Sequence, residues 1–226
     1  MSGRMVEFAS NGSTARGYLA KPRSGSGPGV IVLQEWWGLV DHIKAVADRF
    51  AAEGYVALAP DLYHGESTTR PDEAGRLMMA LDIPRAVRDV RGAISYLLEH
   101  GSARPGKVAI IGFCMGGQLA LATACADARV GACADFYGVH PQAKLDFASL
   151  RAPVLGIFAE NDGFVTPAVA RKLEADLQAA GKPTDFQIFP GVDHAFFNDS
   201  RPDVYNPAAA SQAWRRTLTF FQANLA

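Results

Sequence analysis

The sequence predicts an α/β fold, a mostly parallel, doubly wound sheet with helices on both faces. Three observations carry that expectation. Short apolar runs without polar alternation, such as Gly29-Val30-Ile31-Val32-Leu33, read as strands buried on both sides. These runs alternate along the chain with segments of helical periodicity. Glycine and proline close several of those segments, as at Gly54, Pro60, Gly181 and Pro183.

The elements follow in order. Residues 5–9 and 15–20 suit an antiparallel hairpin around Asn11-Gly12. After strand 29–33, Asp41 is placed to cap a helix whose Ile43, Val46, Ala47, Phe50 and Ala51 share one face. Gly54 stops that helix, Tyr55 to Ala59 returns as a strand, and Pro60-Asp61 ends it. Residues 61–84 read as an irregular excursion near one face of the sheet. Helix 85–99, strand 107–112, helix 115–126 and strands 132–137 and 153–158 come next. Thr166-Pro167 opens a helix ended by Gly181 and Pro183, residues 186–189 form a short strand, and Asn206-Pro207 starts the last helix. All 226 residues are expected to form a single domain.

Composition excludes several classes. With 22 basic against 23 acidic residues, the net charge of −1 gives no surface for nucleic acid or an anionic membrane. Residues 108–126 lack charge over a span long enough to raise a membrane helix, but Gly112, Gly116, Gly117 and Gln118 interrupt it, and strand, turn and helix describe it better. Three cysteines without C-x-x-C spacing argue against disulfides and structural zinc, and for a reducing compartment. The N-terminus lacks the apolar core of a signal peptide, so the expected location is the cytoplasm. No dinucleotide fingerprint or metal-ligand cluster is present; neither cofactor nor metal is expected.

The chemistry centres on Gly112-Phe113-Cys114-Met115-Gly116, which follows a buried strand and opens a helix. Such a turn is tight enough to forbid bulk two residues either side of its centre, and it lifts Cys114 to the carboxyl edge of the sheet. It also aims the Met115 N–H where a substrate oxyanion would develop, and the helix N-terminus favours a thiolate. Cys125 and Cys133 lack this setting and read as packing residues.

A cysteine nucleophile needs a base. Asp162 lies in the loop after strand 153–158, with Glu160 competing for the same role, and His194 lies in the loop after strand 186–189. Nucleophile, acid, histidine is the chain order of the α/β-hydrolase fold. His194 would move the proton while Asp162 orients its ring. His42, His64, His100 and His140 do not follow a late strand and stay outside the site. At the same sheet edge Gln34-Glu35-Trp36-Trp37-Gly38 leaves strand 29–33; the Trp36 N–H suits a second oxyanion donor, and Trp37 a pocket wall. A carboxylate at Glu35 beside two tryptophans is costly to keep ionised without a partner.

These residues resemble the dienelactone hydrolase (carboxymethylenebutenolidase) family. The matches are Q-E-W-W-G at 34–38, G-Y-V-A-L-A-P-D-L-Y at 54–63, G-F-C-M-G-G at 112–117, F-Y-G at 136–138, Asp162, and G-x-D-H at 191–194. The resemblance implies a Cys114–His194–Asp162 triad with an oxyanion hole from Trp36 and Met115. It implies too that Glu35 contacts the resting thiol and moves when substrate binds, and that Tyr137 belongs to the substrate pocket. In that family an arginine four residues past the histidine holds a substrate carboxylate; here Asn198 stands there, and asparagine cannot replace a bidentate cation. Asn198 is therefore a candidate substrate contact of altered chemistry, with Arg201, Arg70 and Arg76 as nearby cations that do not align.

The expected activity is hydrolysis of a lactone or small activated ester through a thioester acyl-enzyme, by a monomer or small homo-oligomer. Two rival readings use the same thiol. A glyoxalase- or amidotransferase-like enzyme would pair Cys114 with Glu35 and leave Asp162 idle. A redox-sensing protein would oxidise Cys114 without turnover.

Overall fold

The computed structural model describes residues 3–99, 103–138, 140 and 142–225; His100 lies outside them. Among the described residues eight strands form one sheet in the order β1-β2-β4-β3-β5-β6-β7-β8. β1 (Arg4–Ser10) and β2 (Ser13–Ala20) make the antiparallel hairpin, and β2 runs antiparallel to β4 (Val56–Pro60). The hairpin turn holds φ of 52° at Asn11 and 72° at Gly12, the doubly left-handed pair that matches strand twist. From β4 through β3 (Gly29–Leu33), β5 (Val108–Phe113), β6 (Val130–Phe136), β7 (Val154–Ala159) and β8 (Thr184–Phe189) every pairing is parallel.

Period-two alternation within the buried strands feeds two cores. Val30 and Val32 point into one, with α1 (Asp41–Ala52) and α6 (Pro207–Asn224); Ile31 and Leu33 point into the other, with α3 (Ile83–Glu99) and α4 (Met115–Ala126). The first is aromatic: the Phe50 ring lies 4.5 Å from Trp214, 5.6 Å from Tyr55 and 5.9 Å from Phe221. α4 is buried around most of its circumference, packed on β5 and β6 and against α3. That placement explains the charge-free run 108–126: it is a central strand and a central helix, and no helix among the described residues is long and apolar enough to cross a membrane.

The structure departs from the sequence reading in three places. Residues 61–84 are not irregular throughout, because α2 (Pro71–Ala80) forms there and α3 begins at Ile83. α2 buries only Ala74 and Leu77 and carries Gly75, so its apolar face is too thin to register as a period. Asp41 does not cap α1; it is the first helical residue, pairs with Lys44 at 3.0 Å, and follows Val40, which offers no capping side chain. β6 ends at Phe136 because Tyr137 turns to φ 42°. Elsewhere the expected elements form, and α5 (Pro167–Ala179) is capped by Thr166, whose hydroxyl accepts the Val169 N–H.

Phe50 is fully buried among aromatic rings that cannot all collapse into its place. Phe50→Ala is expected to lower the unfolding free energy by about 3–5 kcal/mol, measured by urea denaturation.

Candidate active site

Cys114 sits between β5 and α4 with φ 53° and ψ −121°, a strained backbone that typically costs about 1–3 kcal/mol. Two glycines make the turn possible. A Cβ at Gly112 would come within 1.9 Å of the Gly116 carbonyl oxygen, and one at Gly116 within 2.4 Å of the Gln34 carbonyl oxygen. The turn is pinned from both sides: the Cys114 N–H donates to the Phe136 carbonyl at 3.0 Å, and the Cys114 carbonyl accepts the Gly117 N–H at 2.9 Å. Met115 is the first residue of α4, so its N–H has no intrahelical acceptor and faces outward at the positive end of the helix.

The loops after β7 and β8 bring a histidine and a carboxylate to this turn. His194 Nδ1 lies 2.6 Å from Asp162 Oδ2. Asp162 is itself held, because its Oδ1 accepts the N–H groups of Phe164 at 2.7 Å and Val165 at 2.8 Å. Glu160 takes another place: it is exposed and accepts the Gly191 N–H at 2.8 Å, closing the neighbouring loop. Burial pulls the His194 ring down, but hydrogen bonds to Asp162 and Cys114 and the charge of both outweigh it and raise its pKa to about 10. The far face of His194 packs 4.9 Å from Tyr137 and 5.2 Å from Phe164.

Glu35 enters from the loop after β3. Its carboxylate is 1% exposed, and Oε2 accepts from Asn198 Nδ2 at 2.7 Å. Oε1 has no hydrogen-bond partner among the described residues. Burial raises the Glu35 pKa; the His42 charge, the Asn198 hydrogen bond and the charges of His194 and Arg201 work against that. The two halves of the Q-E and D-L-Y matches meet in space: Gln34 Oε1 accepts the Leu62 N–H at 3.1 Å, and Asp61 accepts the N–H groups of Tyr63 and Gly65 at 3.1 and 2.7 Å. This ties the loop after β4 to the loop that carries Glu35.

A cavity of about 70 Å³ opens on Cys114, Glu35 and His194, walled by Trp36, Trp37, Met78, Phe164 and Arg201. A wider, shallower cleft of about 580 Å³ adjoins it, sharing Trp37 and Arg201. Two residues expected as substrate contacts sit elsewhere. Tyr137 is fully buried behind His194, its phenol kept neutral by burial and by the charges of Glu35 and Cys114. Asn198, 1% exposed, spends its amide on Glu35 and reaches only the outer cleft. Met78, Phe164 and Arg201 were not foreseen as walls. Met78 comes from α2, and His140 Nε2 bonds its carbonyl at 3.1 Å, so His140 braces the wall without touching the cavity. His64 faces Asp89 at 3.2 Å on another surface. Among the described residues no cluster of side chains is disposed to hold a metal ion.

The parallel sheet, the strained cysteine turn at its carboxyl edge and the histidine–carboxylate pair on the next loops define the α/β-hydrolase class. Residues 15–225 match the family model described as the dienelactone hydrolase family, so the chain belongs to that family of ester- and lactone-hydrolysing enzymes. Over 99% of both chains it is 39% identical to the "Protein usf" of Aquifex pyrophilus, and, again over 99% of both, 37% identical to a protein of Aquifex aeolicus (strain VF5) named "Putative carboxymethylenebutenolidase". Its fold superimposes with a TM-score of 0.87 and 27% identity on the crystal structure of a "Putative Dienelactone Hydrolase" from Klebsiella pneumoniae subsp. pneumoniae MGH 78578, covering 98% of this chain and 99% of that one.

The His194 value depends on a bond that one atom can remove. Asp162→Asn takes away a negative charge, so the imidazolium becomes harder to keep and the ring pKa is expected to fall from about 10, followed by NMR titration of labelled histidine.

Proposed function

We propose that the protein hydrolyses a small lactone or activated ester through a thioester formed on Cys114, with His194 and Asp162 as its proton-handling pair. The observation that carries this reading is His194, bonded to Asp162 and lining one cavity with Cys114, whose charge raises its pKa. His194 takes the Sγ proton, and the resulting thiolate attacks the substrate carbonyl carbon. The oxyanion forms against the N–H of Met115, with the Trp36 N–H as the second donor. Collapse of that intermediate breaks the ester C–O bond, and His194 returns the proton to the departing oxygen. Water then attacks the thioester, loses its proton to His194, and the acid leaves as Cys114 regains its hydrogen.

The walls favour a flat, compact acyl group. Trp36, Trp37, Met78 and Phe164 offer apolar surface, and Arg201 is the cation on the same wall, held by Asp203 at 2.6 Å. Glu35 bonds to Asn198 rather than to the thiol in this structure. The Asp162–His194 bond also favours this reading over a scheme that pairs Cys114 with Glu35 alone.

Intact-protein mass spectrometry during turnover of p-nitrophenyl acetate and of dienelactone tests the proposal. An acyl adduct on the wild type and none on Cys114→Ala is expected, together with steady turnover. Asp162→Asn is expected to lower kcat/KM by about 10²–10⁴-fold. Turnover that survives Cys114→Ala, or is indifferent to Asp162→Asn, overturns it.

A further inference from the structure

Behind Glu35, away from the thiol, lies a second histidine–carboxylate pair. His42, on the first turn of α1, has a side chain that is 1% exposed, and its Nδ1 lies 3.0 Å from Asp199 Oδ1. A carboxylate can only accept, so Nδ1 carries the hydrogen and Nε2 presents a lone pair. That Nε2 is buried and has no hydrogen-bond partner among the described residues, and the same holds for Glu35 Oε1. Two buried polar atoms of opposite character, neither bonded directly to the other, are costly unless a water bridges them. Consecutive residues hold the two groups: Asn198 grips Glu35 and Asp199 grips His42. The His42 ring packs edge-on to Phe113, the residue before the cysteine, at 6.2 Å, and to Phe197 at 6.4 Å.

We propose that His42, oriented by Asp199, is the proton partner of Glu35, a positioning residue that carries protons between the buried carboxyl and solvent. The inference rests on the reading above only in taking Glu35 as part of the active site. The proton leaves Glu35 Oε1 for His42 Nε2, and the Nδ1 hydrogen passes to Asp199, which is half exposed and open to water. The reverse path reprotonates Glu35, and no electrons move. Once it holds that proton, His42 is also the strongest charge opposing the effect of burial on Glu35. The other ionisable groups around the pair have their own engagements. On α1, Asp41 and Lys44 pair with each other, and Arg49 lies over Phe197 and Trp214 while facing Asp199. Arg201, His194, Cys114 and Tyr137 complete the ring around Glu35.

The test reads Glu35 directly, without ester turnover. The infrared band of a protonated carboxyl, assigned to Glu35 by its loss in Glu35→Gln, is followed against pH in the wild type, His42→Gln and Asp199→Asn. Iodoacetamide alkylation of Cys114 is followed in parallel. Removing the group that accepts the Glu35 proton makes that proton harder to lose, so in His42→Gln the band should persist to a pH roughly one unit higher, with a smaller shift in the same direction for Asp199→Asn. The alkylation profile should move in His42→Gln but not when His42→Gln is combined with Glu35→Gln. An unchanged band in the folded variants, or an alkylation shift that survives in the Glu35→Gln background, overturns the proposal. Absence of any Cys114 acyl adduct would sink the ester reading and leave this measurement intact.

Discussion

Everything at the carboxyl edge of the sheet depends on a contact between two backbones. α4 reaches the loop after β3 only because Gly116 presents no Cβ to the Gln34 carbonyl, and the turn closes only because Gly112 presents none to Gly116. That approach sets Cys114 beside Glu35 and the tryptophans, and it forces the left-handed backbone at the cysteine. The strain is held by the hydrogen bond to Phe136 on the neighbouring strand and by the burial of α4. Interior packing and reactive geometry are thus one construction: β5 and α4 anchor the core, and the single residue between them is the thiol.

Electrostatics divides the site into two compartments. On one side His194 is drawn toward its cationic form by Asp162 and Cys114. On the other, burial pushes Glu35 toward neutrality against the pull of His42. The two compartments share the segment 194–199, which contributes His194 to the first and Asn198 and Asp199 to the second. A displacement of that segment therefore changes both charge balances together.

Strands buried on both faces and helices with a continuous apolar stripe were legible from residues alone, as with Val30–Leu33 and Ile43–Ala51, because burial imposes a period on composition. The hairpin was legible from Asn11-Gly12, since few residues accept two left-handed positions in succession. The cysteine turn announced itself through its glycines. What the sequence did not yield were contacts between distant segments without periodic signature. α2 was hidden because it buries two residues; Met78 as a wall depends on where His140 holds that helix. Asn198 was placed against substrate because the family resemblance sets an arginine there, whereas its amide turns inward to Glu35, a matter of rotamer and of partner that sequence position cannot encode. The choice of Asp162 over Glu160 was likewise a question of which oxygen reached the ring.

The origin of the cavity walls separates inheritance of chemistry from inheritance of selectivity. Met78 belongs to α2, whereas Phe164 and Arg201 stand on the same strand-end loops as Asp162 and His194. Phe164 is 67% exposed and is free to change size without disturbing the core. Substitution at these three side chains therefore reshapes the cavity without moving the turn that holds the thiol. The fold is in that sense a fixed tool with a replaceable grip.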